Sequence, residues 1–414
     1  EEGLSHQSLW SKYLANTGFG QLEVTTSLYS GNWHPTEQIP ERAIGTAQCE
    51  DEYCALDNSA GGDTWRLMST ANLTGGDWSA SLFAQYYDWQ MESNPTYDFQ
   101  INQFDKRWTF GGRAERTLLQ TDRVRWEAGT EFRFDDVSDV GLDHHADGIF
   151  INNISDNEVR ELSLGAYLLG TWSVTERLRL LGGLRGDYYD FDVKALNLSS
   201  FAGQERDSQV SPKLGIAFAL TDALEIYGNW GRGFHSNDGR GVVNSIDPVP
   251  GLSQGTGQEI GMRTSFGNFK FTGSYWWLEQ DSELIFVGDS NSVEPKGGSE
   301  RNGLELTAFW QPVTWLGIDA VFTDSKARYT DNPEGTHIEA AVEQSAQLGF
   351  SAIQDRWEMS LRARYLGPYA MSADNRFRAG DLTTLSWRGA WHWDSLTVYA
   401  ELINLLDNDG KDIT

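Results

Sequence analysis

The stretch Glu161–Trp172, ELSLGAYLLGTW, alternates apolar and polar side chains along its whole length. Successive side chains of a β-strand point to opposite faces, whereas a helix repeats its apolar positions every three or four residues. The stretch therefore predicts a β-strand with one dry face. That face carries Leu162, Leu164, Ala166, Leu168, Gly170 and Trp172, and the other carries Glu161, Ser163, Gly165, Tyr167 and Thr171, with Leu169 as the exception.

The same pattern recurs along the chain, for example in DWSASLFAQY (77–86) and RWEMSLRARY (356–365). An apolar band about ten residues long between two aromatic girdles is typical of a strand that crosses a bilayer. Strands of a soluble β-sandwich also alternate, but they average about five or six residues. The pattern favours membrane strands. At one end, the apolar faces carry the tryptophans Trp78, Trp172 and Trp357. Towards the other end they carry the tyrosines Tyr86, Tyr188 and Tyr365.

The connections between the predicted strands alternate between short and long, which predicts a large antiparallel transmembrane β-barrel of about 18 visible strands. Short periplasmic turns and long extracellular loops would then lie at opposite ends. We find no domain linker and expect one domain over residues 1–414. The short connections are 15–19, 74–77, 118–122, 173–176, 221–223, 266–268, 312–314, 353–356 and 393–395, and the long ones are 31–62, 91–105, 137–157, 193–206, 236–256, 288–300, 329–337 and 367–381.

The charge balance excludes nucleic acid as a partner, because 60 acidic and 32 basic side chains give a formal charge of −28. Such acidity suits cation capture or a saline habitat equally well. The only two cysteines, Cys49 and Cys54, enclose CEDEYC, which favours a disulfide over half of a metal site. Glu50, Asp51 and Glu52 of this loop could hold Ca²⁺, although a solvated charge run is the simpler interpretation.

The glycine-rich stretch GRGFHSNDGRG (231–241) continues a predicted strand into a long loop. A nucleotide site needs a helix directly after the glycines, and we expect none. A catalytic use of His235 and Ser236 is disfavoured, because neighbouring residues of a strand face opposite ways. We expect either an ordinary solvated loop or a ligand-binding one that presents Arg232, His235, Asn237, Asp238 and Arg240 at the barrel mouth.

Two further candidate sites depend on where their side chains point. In FTGSYWWLEQ (271–280), Trp276 alternates with lipid-facing aromatics, so we expect it inside the barrel, where it could stack on a ligand. In GLDHHADG (141–148), Asp143, His144, His145 and Asp147 fall in a predicted long loop that could fold around a metal ion. A polar surface loop is the alternative.

Several segments in order resemble the barrel of a TonB-dependent outer-membrane receptor. They are QIPERAI (38–44), VSPKLGIAF (210–218), EIYGNWGRGFHSND (225–238), GQEIGMRT (257–264), RNGLELTAFW (301–310) and NLLDN (404–408). The resemblance implies a 22-stranded barrel in the outer membrane of a Gram-negative bacterium, closed by an N-terminal plug and energised by TonB. The 18 visible strands would be the fourth to the twenty-first, which predicts two unpaired sheet edges for these residues alone.

The function implied by the resemblance is uptake of a scarce ligand, most often an iron–siderophore complex carrying Fe³⁺. We expect no bond chemistry and no cofactor, with Ca²⁺ in the CEDEYC loop as the alternative to a solvated charge run. The expected partners are TonB, the small-molecule ligand, and the lipid and lipopolysaccharide of the outer membrane. A passive porin-like or structural barrel is the main alternative, and an outer-membrane hydrolase is a weaker one.

Overall fold

The computed structural model of the protein describes residues 3–34, 39–51, 54–94, 97, 99–197, 201–287, 292–295 and 297–408, with backbone only at 41, 284–287 and 292–295. One antiparallel sheet of 18 strands dominates it, and strands that follow one another in this sheet are paired neighbours. These strands are β1 (Ser5–Thr17), β2 (Gly20–Trp33), β3 (Gly61–Thr74), β4 (Trp78–Ser93), β5 (Gln100–Gln120), β6 (Val124–Ala146), β7 (Ile149–Ser173), β8 (Leu178–Ala195), β9 (Gly203–Thr221), β10 (Leu224–Ser236), β11 (Leu252–Phe266), β12 (Phe269–Gln280), β15 (Ser299–Val313), β16 (Leu316–Tyr329), β17 (Gln344–Gln354), β18 (Trp357–Leu366), β21 (Leu382–His392) and β22 (Thr397–Leu402).

The remaining elements lie in the long connections. Two small hairpins are β13 (Leu284–Val287) with β14 (Ser292–Pro295), and β19 (Tyr369–Ala370) with β20 (Arg378–Ala379). A 3-10 turn covers Glu41–Ala43, and one helical turn, α1, covers Gly239–Val242. No helix in the described part of the chain is long and apolar enough to cross a membrane.

The sheet is the wall of a β-barrel, with an apolar outer face and a polar inner, luminal face. On β7 the apolar outer band begins at Leu162, and the outward position before it is Arg160, which pairs with Asp136 of β6 at 3.0 Å. A charged pair facing outwards marks the end of the lipid-covered zone. We therefore take Leu162–Trp172 as the membrane-spanning part of β7, and Glu161 lies just outside it on the luminal side.

The nine predicted tight turns are all confirmed, and they join strands at one end of the barrel. Within the described residues, β1 pairs with β2 alone and β22 with β21 alone, which leaves the two sheet edges that the strand count predicts.

Two of the predicted long loops are wrong. β4 continues to Ser93 and β5 begins at Gln100, and β6 and β7 continue far beyond the apolar band to a turn at Asp147 and Gly148. From the sequence, we predicted that each strand ends where its alternation of apolar and polar side chains ends. Above the lipid, however, backbone pairing needs no apolar face, and the β6–β7 ladder continues through three register shifts.

Candidate functional site

The top of the β10–β11 hairpin leaves the barrel wall and folds into the lumen. Pairing between β9 and β10 ends at Lys213 and Gly231, whereas pairing between β10 and β11 continues to Ser236 and Leu252. In the lower part of β10, the strand face that carries Phe234 points out of the barrel. The Phe234 ring nevertheless lies 5.8 Å from the Tyr189 ring on the luminal face of β8, so the hairpin has turned inwards. On its other side the hairpin stays in the wall for longer, because β11 pairs with β12 as far as Gly255 and Gln280. We call Arg232–Gln254 the infolded segment.

A small apolar core attaches the infolded segment to the wall. Val243 packs with four valines from the luminal faces of β6, β7 and β8, and Val242 and Val249 pack on Phe191, which is fully buried. Burial of these apolar side chains stabilises the contact between the infolded segment and the wall, by roughly 25 cal/mol for each Å² of apolar surface removed from water. The four wall valines are Val137, Val140, Val159 and Val193.

The prediction that no helix follows the glycine-rich stretch is wrong, because α1 begins at Gly239. Asp238 is its N-cap and accepts hydrogen bonds from the Arg240 backbone N–H at 2.9 Å and from Arg240 Nη2 at 2.7 Å. The Gly239 N–H is donated to Glu161 Oε1 of β7 at 3.2 Å. Two carboxylates thus take up the free N–H groups of this single turn, which leaves no phosphate cradle.

A cavity of about 220 Å³, which we call the upper cavity, separates the polar side of the infolded segment from the wall. The wall contributes two arginines, each paired with an aspartate two residues away. Arg107 Nε donates to Asp105 Oδ1 at 2.7 Å, and Arg133 Nε donates to Asp135 Oδ2 at 2.6 Å. The cavity is lined by Arg107, Arg133, Asp135, Val137, Val140, Val159, Glu161, Ser236, Asn237, Asp238 and Arg240.

Two carboxyl groups at this cavity have shifted pKa values in opposite directions. Burial, together with the negative charges of Asp238 and Asp135, raises the pKa of Glu161 to about 7, against the smaller lowering effects of the Gly239 N–H and Arg107. Burial would also raise the pKa of Asp238, but the hydrogen bonds and charge of Arg240 hold that pKa below its usual range. Of these two carboxyl groups, Glu161 is therefore the one whose pKa lies near neutral pH.

The same arrangement, an arginine paired with an acidic residue two positions away in either direction, recurs along the lumen. A second luminal cavity of about 730 Å³ also includes Arg133, and in it Arg185 binds Asp187 at 2.7 Å and Glu131 at 2.8 Å. Arg133 thus lines both cavities, which places them next to each other along the lumen. The paired side chains are Asp105–Arg107, Arg113–Glu115, Arg125–Glu127, Arg133–Asp135, Arg185–Asp187 and Asp238–Arg240.

The structure brings three of the five predicted mouth residues to the upper cavity, namely Asn237, Asp238 and Arg240. Asn237 is 5 % exposed, and its Nδ2 donates to the Pro250 carbonyl oxygen at 2.5 Å, which closes the base of the loop. His235 lies 3.3 Å from the Ser282 carbonyl oxygen through Nε2. Arg232 is exposed, shares its strand face with Trp230 and does not line the cavity.

Trp276 faces the lumen from β12, as its alternation predicts, and its indole lies close to Gly303 of β15. Its Nε1 is buried without a hydrogen-bond partner among the described residues, and Trp276 does not line the upper cavity.

The predicted metal-binding loop is a strand, and it separates the four residues instead of gathering them. Asp143, His144 and His145 belong to β6, and Asp147 lies in the turn that follows. His144 packs on Phe99 with ring centroids 5.2 Å apart, whereas His145 contacts Glu92 and Phe150. Among the described residues, no group of three or more histidine, cysteine or acidic side chains could hold a metal ion. The metal-binding arrangement is therefore not formed.

Cys49 and Cys54 form a disulfide with a Cα–Cα distance of 5.3 Å. Of the acidic residues between them, Glu50 and Asp51 are exposed, and Glu52 lies outside the described residues. The Ca²⁺ interpretation of this loop stays a prediction.

Four charged residues of the cavity were not selected from the sequence: Arg107, Arg133, Asp135 and Glu161. A signal was present, because Val137, Val159 and Val193 put apolar side chains on a luminal face above the membrane band, where only another part of the protein could cover them.

The geometry described above defines an outer-membrane barrel with a polar, arginine-lined lumen. The profile of the family described as "TonB dependent receptor-like, beta-barrel" matches residues 5–405. The chain belongs to this family of receptors and transporters, whose members lie in the outer membrane of Gram-negative bacteria.

Individual relatives are distant. The pesticin receptor of Yersinia enterocolitica is 21 % identical over 263 residues, which cover 59 % of this chain and 39 % of that protein. The ferric yersiniabactin uptake receptor of Yersinia pestis has a TM-score of 0.75 at 15 % identity, covering 99 % of this chain and 71 % of that one. The ferric preacinetobactin receptor of Acinetobacter baumannii has a TM-score of 0.75 at 14 % identity, covering 98 % and 69 %. At these identities the likeness concerns the fold.

Proposed function

We propose that this chain is the barrel portion of a receptor that imports an iron–siderophore complex with energy supplied through TonB. The observation that carries the proposal is the cavity under the infolded segment, where the guanidinium groups of Arg107, Arg133 and Arg240 line one space. Each is paired with one aspartate, so an oxyanion would use the N–H groups that the aspartate leaves. Guanidinium groups bind carboxylate and other oxyanion groups through paired hydrogen bonds, and ferric chelates present such groups. Two solved structures with the same fold are named as receptors of ferric chelates.

The proposed role involves no bond chemistry. The arginines of the upper cavity and the infolded segment would bind one side of the chelate near the barrel mouth, and the larger cavity below would lie on its route through the lumen. TonB would act on a plug in the barrel. Around the barrel, the apolar outer band would contact lipid, and lipopolysaccharide would surround its outer end.

Uptake of ⁵⁵Fe by iron-starved cells tests this proposal, with citrate, catecholate and hydroxamate chelates supplied in turn. The variants Arg107→Lys and Arg133→Lys keep the positive charge beside each aspartate but remove the planar donor pair. We expect the apparent affinity for the accepted chelate to fall about tenfold, the loss of one charge-assisted hydrogen bond. Arg125→Lys is the matched control, because Arg125 forms the same kind of pair with Glu127 but lines neither cavity.

Energy coupling is measured in the same assay by adding a protonophore. Uptake that stops on its addition supports TonB-driven transport. Uptake that continues unchanged favours the passive barrel, and unchanged affinity in both cavity variants contradicts the proposed ligand site.

A further inference from the structure

The lipid-facing surface of the barrel is indented where β9, β10, β11 and β12 lie side by side. Gly228 of β10 points outwards between Ile216 of β9 and Ile260 of β11, its direct partners in the two ladders. A Cβ atom added at Gly228 would come no closer than 3.7 Å to another residue, so the floor of the indentation is open. The result is an apolar groove of about 760 Å³, which we call the outer groove. Its outward-facing walls include Leu214, Ile216, Phe218, Ile226, Ile260 and Trp277.

The upper end of the outer groove changes from apolar to polar within one row of residues. Gln258 is exposed on the outer face of β11, between its ladder partners Trp230 and Trp277. Tryptophans of a barrel concentrate where the hydrocarbon of the bilayer meets the headgroups. A molecule that fills the outer groove must therefore be apolar below this row and polar above it, as a membrane lipid is. The next outward positions on the same three strands are Arg232, Thr256 and Glu279.

Two basic side chains beside the outer groove differ from the other outward-facing bases at this end of the barrel. Arg232 follows Trp230 on β10, and Lys326 lies on β16, in the row that continues from Trp277 through Asn302. Both are exposed, and neither forms an ion pair with any residue that the structure describes. The other outward-facing bases each pair with an acidic side chain, and they are Lys106, Arg160, Lys194, Arg206 and Arg328.

We propose that the outer groove, Arg232 and Lys326 form a binding site for lipopolysaccharide, the phosphorylated and acylated glycolipid of the outer leaflet. Acyl chains fill the groove, the Gln258 amide hydrogen-bonds to the polar groups that link the chains to the sugar, and the two cations bind phosphate. The long connections place this end of the barrel outside the cell, so the lipid belongs to the outer leaflet.

The positions of the two cations favour lipopolysaccharide over a phospholipid. Arg232 and Lys326 are four strand spacings apart, which is about 19 Å across the sheet, and both side chains are long enough to lean towards the groove between them. The lipid A part of lipopolysaccharide carries a phosphate at each end of its disaccharide, whereas phosphatidylglycerol carries one phosphate.

The charges should decide how tightly this lipid binds. Acyl chains gain little hydrophobic energy by leaving bulk lipid for the groove, because both surroundings are apolar. One basic side chain at the membrane surface strengthens binding of an anionic headgroup by about fivefold. The outer groove and the upper cavity lie on opposite sides of the wall, so this site does not depend on the ligand that is transported.

Native mass spectrometry tests the charges, with the whole native protein purified in detergent and titrated with lipid A. We expect one lipid A molecule to bind more tightly than any that follow. Arg232→Gln and Lys326→Gln should each weaken that first binding about fivefold. Arg206→Gln is the matched control and should leave it unchanged, because Arg206 already pairs with Asp190 at 2.7 Å.

A second pair of variants tests the groove without a change of charge. Gly228→Leu fills the floor and should weaken the first lipid A molecule to the level of those that follow. Gly186→Leu is its control, since Gly186 faces outwards on β8 beyond the groove and an added Cβ atom would meet nothing within 4 Å. Heat-modifiable gel mobility shows that each variant is a folded barrel.

Two results would overturn the site. One is equal affinity for lipid A in the unmodified protein and in the double variant Arg232→Gln/Lys326→Gln. The other is binding of phosphatidylglycerol as tight as that of lipid A, which would assign the outer groove to phospholipid.

Discussion

The carboxylate of Glu161 accepts a hydrogen bond from the backbone N–H of Gly239 at 3.2 Å, although 78 residues separate the two in the chain. This contact joins the barrel wall to the infolded segment at the N-terminus of α1. It shows that a specific interaction holds the β10–β11 connection inside the lumen. The stability of this contact can be measured in variants of the residues beside it.

The N-cap of α1 should govern local opening of the infolded segment. Asp238→Ala removes the cap and leaves the Arg240 guanidinium, which is 15 % exposed, without its aspartate. We expect a loss of about 1–2 kcal/mol in local stability, which is about tenfold faster amide hydrogen exchange over residues 237–251. Asp247→Ala, at an exposed position of the same loop, is the control. Equal exchange in the two variants would contradict the assigned role of Asp238.

A charged side chain should destabilise the barrel on the outer face of β4 but not on its inner face. Leu82 lies midway between the girdle residues Trp78 and Tyr86 and is 57 % exposed on the outer face. Leu82→Arg should destabilise the folded barrel in lipid by about 2–4 kcal/mol, measured by urea titration and heat-modifiable gel mobility. Ser81→Arg is the matched variant, since Ser81 is the preceding residue and lines the larger luminal cavity. Similar losses for both would show that the faces are assigned incorrectly.

Asp57 should hold the loop before β3 against the start of β5 at neutral pH. Its carboxylate accepts hydrogen bonds from the Ser59 N–H at 2.9 Å, Asn94 Nδ2 at 2.6 Å and Gln100 Nε2 at 2.7 Å. Burial acts to raise the pKa of Asp57, but these bonds lower it from 3.8 to about 2.

The contribution of Asp57 is therefore present above pH 3.8 and is lost as the pH falls through about 2. We expect residues 54–60 to gain hydrogen exchange as the pH approaches 2, after correction for the intrinsic exchange rate. Asp57→Asn should show that looser state at pH 7. A variant that exchanges like the unmodified protein at pH 7 would rule out this anchoring.

The disulfide should stabilise its own loop and leave the barrel unaffected. Cys49 is fully buried, and the bridge closes a sequence separation of five residues. Loop-closure entropy for so short a loop is worth roughly 2 kcal/mol. The double variant Cys49→Ser/Cys54→Ser should increase proteolysis near residue 50 with no change in the urea midpoint of the barrel. A lowered barrel midpoint would show a wider role.

Much of the wall was predictable because lipid imposes a strict rule on it. Leu162, Leu164 and Leu168 must alternate with polar residues inside the bilayer, so strand positions and tight turns could be located from the sequence. That rule ends at the membrane surface. The continuation of β6 through Val137 and Val140 was missed for this reason, because pairing there depends on backbone hydrogen bonds and not on an apolar face.

The site was predictable only in part, because it is assembled by a tertiary contact. Asp238 and Arg240 were selected as loop residues with ligand-binding chemistry, and they do line the cavity. Arg107, Arg133 and Glu161 come from three other strands, and they meet the loop only because it folds inwards. Sequence spacing gives no distance between such residues, so their meeting could not be inferred.

Several arginines of the lumen lie beside acids two residues away in the same segment, as in Arg133–Asp135 and Arg185–Asp187. Each pair is a short dipole, and the potential of a dipole falls with distance faster than that of a single charge. These pairs would therefore guide a charged solute only at short range, where the solute touches them. Raising the ionic strength, which mainly screens distant charges, should change the contribution of these pairs very little.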